Sequence, residues 1–275
     1  MVRVAGLSAQ KEQRVEKRSD DGMSVEEQLS AVDDSIKGLQ KDQQAYWADL
    51  QSQLVKEKIH IIQPADLQTS ELNWLEDYFD SNMFPVLTPL SMDLAHPFPF
   101  ISNLGHALIF ELAQPNSKYT MKAFVRMPLG LENFVKLPQR SKTELHFISI
   151  EDIIVRFIDK LFPGYEATGH GSFRVIRDSD LEVEEEAEDL VLTFESALKR
   201  RRRGKVVRIE TDTNMPQNLS EFIVGELNLS DIRVEQVGEL FALNNLMKIA
   251  SIDRPDLKFP PFIRPVPGTG KRAKR

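Results

Sequence analysis

Hydrophobic residues in the first part of the chain recur at helical spacing. From Ser24 onward they return every three, four or seven positions, which predicts one long amphipathic helix reaching Glu57 and roughly 50 Å in length. Ser24 followed by Glu27 has the pattern of a capping box, in which each residue satisfies a free backbone N–H of the other. The stripe comprises Val25, Leu29, Val32, Ile36, Leu39, Tyr46, Leu50 and Leu54.

A helix of this length needs neighbours that cover its apolar stripe. A second amphipathic segment follows it, in which Leu72, Leu75 and Phe79 share one face. Residues 1–15 form a third segment with helical character. The N-terminal domain is therefore predicted to be an antiparallel helical bundle over residues 1–83.

The pattern changes after residue 83, where apolar and polar positions begin to alternate and prolines become frequent. Short segments rich in β-branched and aromatic residues predict strands at 84–90, 106–112, 121–127, 172–177, 206–211 and 232–237. Helical spacing predicts helices at 150–161, 184–203, 218–227 and 240–250. The expected fold class is α+β, with a mixed-sheet α/β head domain over residues 84–262 and a proline-rich, then basic, linker or tail over residues 263–275.

Composition limits the possible chemistry. The 275 residues are 41% hydrophobic, which is enough to form a buried core. The sequence includes no cysteine, so disulfides, thiolate nucleophiles and iron–sulfur clusters are excluded. No apolar run approaches the roughly 20 residues of a membrane span, and no secretory leader is visible, so a cytoplasmic protein is expected. The formal charge of −7 disfavours nucleic acid as a partner.

One basic segment stands against this acidic background. The run from Ala197 to Glu210 carries Lys199, Arg200, Arg201, Arg202, Arg203, Lys205 and Arg208. Arginine forks match phosphate oxygens, so Arg200, Arg201, Arg202 and Arg208 are candidate contacts for a polyanion. The alternative is structural, because the acidic segment 182–189 precedes the run and opposite charges at the two ends of one helix complement its dipole. The run has no aromatic side chains that could stack on bases.

The sequence HPFPF at residues 96–100 invites a functional interpretation of His96. Both prolines restrict the preceding residues to extended geometry, which predicts a stiff arch between strands with Phe98 and Phe100 directed into the core. His96 is then the polar tip of the arch, with contact to phosphate as the alternative. The five histidines of the chain show no metal-ligand spacing, and consecutive carboxylates at 182–189 suit a helix start better than a calcium loop.

Four separated motifs together resemble the bacterial polyphosphate kinase family. They are MVRVAGL at residues 1–7, FPVLTPLSMDLAHPFPFISNL at 84–104, FRVIRDSDLEVEEEAEDL with the following RRRRGKVVRIE at 173–190 and 200–210, and SIDRPDLKFPPF at 251–262. They occur in family order across nearly the whole chain. The resemblance implies that residues up to about 83 correspond to most of the helical N-terminal domain and the rest to the head domain of the family.

The family transfers the terminal phosphate of ATP to inorganic polyphosphate, reversibly, with Mg²⁺ and through a phosphorylated histidine. The resemblance implies that these catalytic groups lie in two C-terminal domains outside this sequence, so no catalytic, cofactor-binding or metal-binding residue is assigned here. The expected role is dimerisation, giving a homo-oligomer, and part of the path for ATP, ADP or polyphosphate, while the chain alone is expected to be inactive. The alternative is a non-catalytic module that binds or senses polyanions.

Overall fold

The computed structural model describes residues 2–14, 18–92, 98–115, 117, 119–128, 130–141, 143–178, 204–227, 233–238 and 240–260. A helical N-terminal region is followed by a sheet-rich head, which confirms the α+β class expected from the sequence. The helices are α1 (Val2–Glu12), α2 (Val25–Lys56), α3 (Thr69–Tyr78), α4 (Ile150–Arg156), α5 (Ile158–Leu161), α6 (Gln217–Glu226) and α7 (Met247–Ala250). Within these described residues, no helix combines the length and hydropathy needed to cross a bilayer.

Helix α2 is the longest element, and its start follows from local chemistry. The Ser24 side chain accepts a hydrogen bond from the backbone N–H of Glu27, and the Glu27 carboxylate accepts one from the backbone N–H of Ser24 at 2.6 Å. The predicted capping box is therefore confirmed. Helix α1 packs on the first turns of α2 through a small cluster centred on Leu7, Val25 and Leu29.

The strands form two sheets. Their bounds are β1 (Ile59–Ile61), β2 (Pro89–Met92), β3 (Gly105–Ala113), β4 (Thr120–Arg126), β5 (Phe134–Lys136), β6 (Leu145–Ser149), β7 (Glu166–Arg177), β8 (Val206–Asp212) and β9 (Arg233–Val237). The larger sheet has the order β2-β4-β3-β7-β8-β9 and is antiparallel except for the parallel β8–β9 pair. The smaller sheet has the order β1-β6-β5, with β1 parallel to β6.

Alternation along the central strands gives the larger sheet two buried faces. Leu108 and Phe110 of β3 belong to a core shared with α3, α4 and α5, while Ile109 of β3 and Phe173 of β7 belong to a second core under α6. The apolar face predicted for α3 is buried, with Leu75 and Phe79 fully inaccessible, and it packs against this sheet. Helix α3 thus contributes to the core of the head.

The long helix does not use its apolar stripe as the periodicity predicted. Leu39, Tyr46 and Leu50 are exposed by 70%, 74% and 41%, whereas Asp33 and Trp47 on a neighbouring face are buried. The expectation that the whole stripe packs inward is therefore wrong for Leu39, Tyr46 and Leu50, while Leu54 at its end packs partly buried on the core around Trp47. The reason is that the sheet presents charged groups to α2, so the polar side of the helix faces the head.

Three short strands were missed and one segment was assigned wrongly by the sequence patterns. Strands β1, β5 and β6 have only three to five residues, and they exist through pairing with distant partners. The segment predicted as a strand at 84–90 forms strand β2 only from Pro89, and Phe84 is 47% exposed. The helix predicted at 150–161 is interrupted at Phe157. The helix predicted at 184–203 lies outside the described residues.

The two phenylalanines of the proline-rich arch have different environments. Phe98 packs edge to face on Phe124, with ring centroids 4.9 Å apart, in the core under α6. Phe100 is 44% exposed, and the guanidinium of Arg177 lies 4.5 Å from its ring centroid. The expectation that both rings point into the core holds for Phe98 and is wrong for Phe100, which instead forms a cation–π contact.

Candidate functional site

The residues predicted from the sequence to contact phosphate divide into two groups. Arg200, Arg201, Arg202 and His96 lie outside the described residues. Arg208 lies on β8 and is only 3% exposed. In this conformation its guanidinium faces protein groups and does not reach solvent, so it is unavailable to an external polyanion.

Arg208 belongs to a buried polar network that joins helix α2 to the larger sheet. Its Nη2 donates to Oε1 of Gln40 at 2.6 Å, and its Nη1 lies 3.7 Å from Oδ1 of Asp33. Glu210, also on β8, accepts a hydrogen bond from Nε2 of Gln40 at 2.7 Å and one from Nε of Arg174 at 2.7 Å. The two arginines are therefore balanced by two carboxylates, as buried charges require.

The same side of α2 continues toward a cavity. Gln43 and Gln44 donate their amide N–H groups to the backbone carbonyl oxygen of Leu240, at 2.9 and 3.0 Å. One and two turns further along the helix, Trp47 and Gln51 line the cavity itself. Polar contacts thus position α2 along the head and place the indole of Trp47 against the cavity.

The cavity has a volume of about 290 Å³ and lies where α2, both sheets, the start of α4 and the segment after β9 meet. Its floor includes Ser172 of β7 and Asp212 of β8, and its side includes Glu151 and Asp152 of α4. Aromatic walls come from three separate elements, through Trp47, Phe134 and Phe241. The described residues that line it include three carboxylates and His170, and none is lysine or arginine.

Hydrogen bonds hold these acidic groups in place. The Ser172 hydroxyl donates to Oε2 of Glu151 at 2.6 Å, and the backbone N–H of Ser172 donates to the Asp212 carboxylate. The Ser149 hydroxyl caps α4 by accepting from the backbone N–H of Asp152 at 3.0 Å, and it donates to Oδ2 of Asp152 at 2.7 Å. Desolvation by burial raises the pKa of Asp152 above its usual value, and the charge of Glu151 adds to that rise.

His106 of β3 lies next to Glu151, at the edge of the acidic group. Its Nε2 is buried, lies 3.5 Å from Oε1 of Glu151 and has no hydrogen-bond partner among the described residues. Its ring packs on Phe241 with centroids 4.8 Å apart. Desolvation lowers the pKa of His106 to about 4, with a further contribution from the positive charge of Arg174, so the imidazole is neutral at physiological pH.

Two further histidines lie next to each other within the smaller sheet. His60 of β1 and His146 of β6 are register partners, and their ring centroids are 5.1 Å apart. Desolvation lowers the pKa of His146, and the nearby charges of Arg140 and His60 lower it further. Both strands were missed from the sequence, so this contact could not be foreseen from the spacing of histidines.

The chemistry of the cavity does not suit the substrates that the sequence resemblance implies. Three carboxylates repel phosphate groups, so neither ATP nor polyphosphate is expected to bind in it. Within the described residues, no three histidine, aspartate or glutamate side chains converge as a metal-binding group. The only sequence signal toward the cavity was the Ser149–Asp152 spacing, which reports a helix cap and not a ligand site.

Comparison with known families matches nearly the whole chain. Residues 1–62 match the model of the polyphosphate kinase N-terminal domain, and residues 70–249 match the model of the polyphosphate kinase middle domain. A polyphosphate kinase from Erythrobacter litoralis is 39% identical over 259 residues, covering 94% of this chain and 36% of that protein. One from Mycolicibacterium gilvum is 38% identical over 271 residues, covering 97% of this chain and 37% of that protein.

A solved structure has the same fold. The crystal structure of polyphosphate kinase from Porphyromonas gingivalis aligns with a TM-score of 0.70 at 21% sequence identity, over 95% of this chain and 36% of that one. The chain therefore spans little more than a third of the length of the relatives that it matches. The middle-domain model alone matches well over half of the chain, residues 70–249. On these matches, the chain belongs to the polyphosphate kinase family.

Proposed function

We propose that this chain is the N-terminal and head portion of a polyphosphate kinase, the enzyme that reversibly transfers the terminal phosphate of ATP to inorganic polyphosphate. The observation that carries the proposal is the ordered match of two family models, at residues 1–62 and 70–249. In the full-length enzyme, ATP, ADP and polyphosphate are the substrates and Mg²⁺ the metal, in the cytoplasm, where ATP is available. None of these is expected to be bound by the residues of this chain alone.

The 275 residues by themselves are proposed to be catalytically silent. Phosphoryl transfer depends on a positioned nucleophile and a cationic clamp around the phosphates, and the matched segments are the N-terminal and middle domains of the family. Incubation of the purified chain with γ-labelled ATP and Mg²⁺ should yield neither acid-insoluble polyphosphate nor a labelled protein band. A band that is stable in alkali and labile in acid would be phosphohistidine and would refute the proposal.

We further propose that the portion serves self-association. Leu39, Tyr46 and Leu50 are exposed apolar side chains along one side of α2, and exposed apolar surface favours protein contacts. Sedimentation equilibrium should detect a dimer of the chain that dissociates when Leu39 and Tyr46 are both changed to Glu. A matched change of the exposed Leu243 and Met247 to Glu, on the 3₁₀ turn at Leu243–Leu246 and on α7, should leave the mass unchanged. A monomeric parent chain would contradict this part.

An alternative role is polyanion binding through Arg200, Arg201 and Arg202. It is supported by the density of arginine in this segment, and it excludes Arg208, which is buried. Binding of polyphosphate that weakens steeply with salt should be reduced when the three arginines become Glu. The matched control changes Lys11, Arg14 and Lys56, all exposed, to Glu. Equal losses of polyphosphate binding in both variants would mean that the effect depends only on net charge. We expect that DNA does not compete with polyphosphate for this segment.

A further inference from the structure

We propose that Arg177, together with Arg126, forms a binding site for a small tetrahedral oxyanion such as inorganic phosphate. Arg177 is the last residue of β7 and Arg126 is the last residue of β4, and both contact Phe100 of the proline-rich arch. None of the three lines the acidic cavity. The site is independent of phosphate transfer, and it differs from the polyanion role of residues 200–202 because one phosphate group is enough to fill it.

The first argument is that the charge of Arg177 is buried without a counter-charge. Arg177 is 8% exposed, and no carboxylate pairs with it among the described residues. Arg208 provides the comparison, since it is 3% exposed and lies against the carboxylates of Asp33 and Glu210. Burial lowers the pKa of the Arg177 guanidinium, as expected for a cation without an anionic neighbour. Because buried charges need partners, an anion is expected beside Arg177.

The second argument is the supply of oriented hydrogen-bond donors. Nε of Arg177 donates to the backbone carbonyl oxygen of Ile101 at 2.7 Å, and Nη1 donates to that of Gly204 at 2.9 Å. These two contacts fix the plane of the guanidinium. Its Nη2 has no hydrogen-bond partner within the described part of the chain. A guanidinium that is already oriented loses little further entropy when its remaining N–H groups bind an anion.

The third argument is that a second cation approaches the same residue of the arch. Phe100 is 44% exposed, and the guanidinium of Arg177 lies 4.5 Å from its ring centroid. Arg126 is exposed, its Nη1 donates to the backbone carbonyl oxygen of Phe100 at 3.5 Å, and it makes no ion pair with the residues that the structure describes. A bound anion relieves the repulsion between two such positive charges.

The direction of the two arginines favours a tetrahedral oxyanion over a carboxylate. A carboxylate has two oxygens in one plane, which suits the parallel N–H groups of a single guanidinium. Arg177 and Arg126 instead come from different strands of the larger sheet. Phosphate carries oxygens in four directions, so one ion accepts hydrogen bonds from both side chains.

The structural role of Arg177 does not account for its charge. Its contacts with Ile101 and Gly204 join the arch to the segment that leads into β8. Two carbonyl oxygens need only two N–H donors, which a neutral side-chain amide supplies without the cost of burying a charge. The contacts therefore explain how the guanidinium is held, and the oxyanion explains why it is a cation.

The test is a titration of the 275-residue chain with sodium phosphate at constant ionic strength. The NMR signals of the backbone N–H groups of Phe100 and Ile101 report binding at the arch. We expect them to shift saturably, with one phosphate bound per chain. Sodium sulfate, also a tetrahedral dianion, should compete with phosphate, whereas sodium acetate should not. The proposal is wrong if phosphate causes no saturable shift or if acetate causes the same one.

Matched variants test the two arginines. Arg177→Gln should weaken phosphate binding by about tenfold, because it removes a charge-assisted hydrogen bond. Arg156→Gln is the control, since Arg156 also lies near a phenylalanine ring, 5.7 Å from the centroid of Phe157, but is exposed. It makes the same change in charge and should leave binding unchanged.

A second cavity-independent variant keeps the test decisive if Arg177→Gln does not fold, which circular dichroism establishes. Arg126→Gln changes an exposed side chain and should weaken phosphate binding by about threefold. Binding as tight as that of the parent chain in the folded Arg177 and Arg126 variants would overturn the assignment. An equal loss in Arg156→Gln would overturn it as well, because the effect would then follow net charge.

Discussion

One face of the larger sheet is covered in two different ways. Over β3 and β4, apolar side chains such as Leu108 and Phe110 meet the helices of the head, and Phe79 packs on Phe157 with ring centroids 5.0 Å apart. Over β7 and β8, the same face carries Arg174, Arg208 and Glu210. There it meets the polar side of α2, through Asp33 and Gln40.

The difference shows what each kind of contact provides. Burial of apolar area is non-directional and supplies most of the stability of a domain. A buried charge network contributes little net stability, since desolvation offsets its attraction, but it penalises every arrangement in which one partner is missing. The apolar half therefore holds the head together, while the polar half specifies where along the sheet α2 lies.

The largest expected effect comes from the apolar half. Phe79→Ala should lower the free energy of unfolding by about 4 kcal/mol, because Phe79 is fully buried and its removal leaves a cavity beside Phe157. Urea denaturation followed by circular dichroism measures the change. Tyr119→Ala, at a position 87% exposed, is the control and should cost less than about 0.5 kcal/mol. A similar cost at both positions would show that the apolar half does not carry the stability.

In the polar half, Arg208→Ala should cost about 3 kcal/mol, because it removes a buried charge that lies against both Glu210 and Asp33. Lys37 provides the comparison at the same interface. It contacts Asp33 at 3.0 Å and Glu235 at 3.4 Å, but its side chain is 51% exposed, so Lys37→Ala should leave the stability nearly unchanged. If the two variants are equally stable in urea, the network is not the specific joint inferred here.

Acid should lower the stability of the larger sheet where His106 lies next to the cavity. The pKa of His106 is lowered to about 4, so its folded environment favours the neutral imidazole. Above the unfolded pKa near 6.5, the titration of His106 does not change the free energy of unfolding. As pH falls from 6.5 toward 4 the free energy of unfolding decreases, and the loss at pH 5.5 is about 1 to 2 kcal/mol. His106→Gln should flatten this part of the stability profile. An unchanged slope between pH 7 and 5 would assign the effect to other groups, such as His146, whose pKa is also lowered.

The smallest expected effect concerns the start of α2. Ser24→Ala should cost about 1 kcal/mol by removing the acceptor for the backbone N–H of Glu27. Ser24→Asp keeps an acceptor and should retain most of the stability. Hydrogen exchange of the first turn of α2 is the direct measurement. Equal exchange in the parent chain and Ser24→Ala would mean that packing of α1 at Val25 and Leu29 determines this end of the helix.

Much of the fold could be predicted because its signals are local. The capping box of α2 and the alternating strands at β3, β4 and β8 involve neighbours in sequence, and the structure has them within two residues of the predicted bounds. Strands β1 and β5 were missed because three residues carry no usable period, and only pairing with β6 makes them strands. The boundary proposed after residue 83 stays a prediction.

The candidate site was much harder to predict than the fold. The cavity gathers residues from Trp47 to Asn245, and no spacing in the sequence links them. Arg208 was nominated as a polyanion contact because it belongs to a basic run, yet its position on β8 turns it toward α2 and buries it. The direction of a side chain in a strand depends on register, which a composition argument cannot supply.

The sequence by itself determined the family, the position of the long helix and the class of the fold, because motifs, caps and periodicity depend on residues close together in the chain. Only the tertiary structure decided which side of α2 faces the head. The apolar stripe at Leu39 and Tyr46 predicted one side, and the charges of Arg208 and Glu210 required the other, since buried charges must find partners. Their shared partner on α2, Gln40, lies 168 residues from Arg208 and 170 residues from Glu210 in sequence, so no local pattern could reveal the contact.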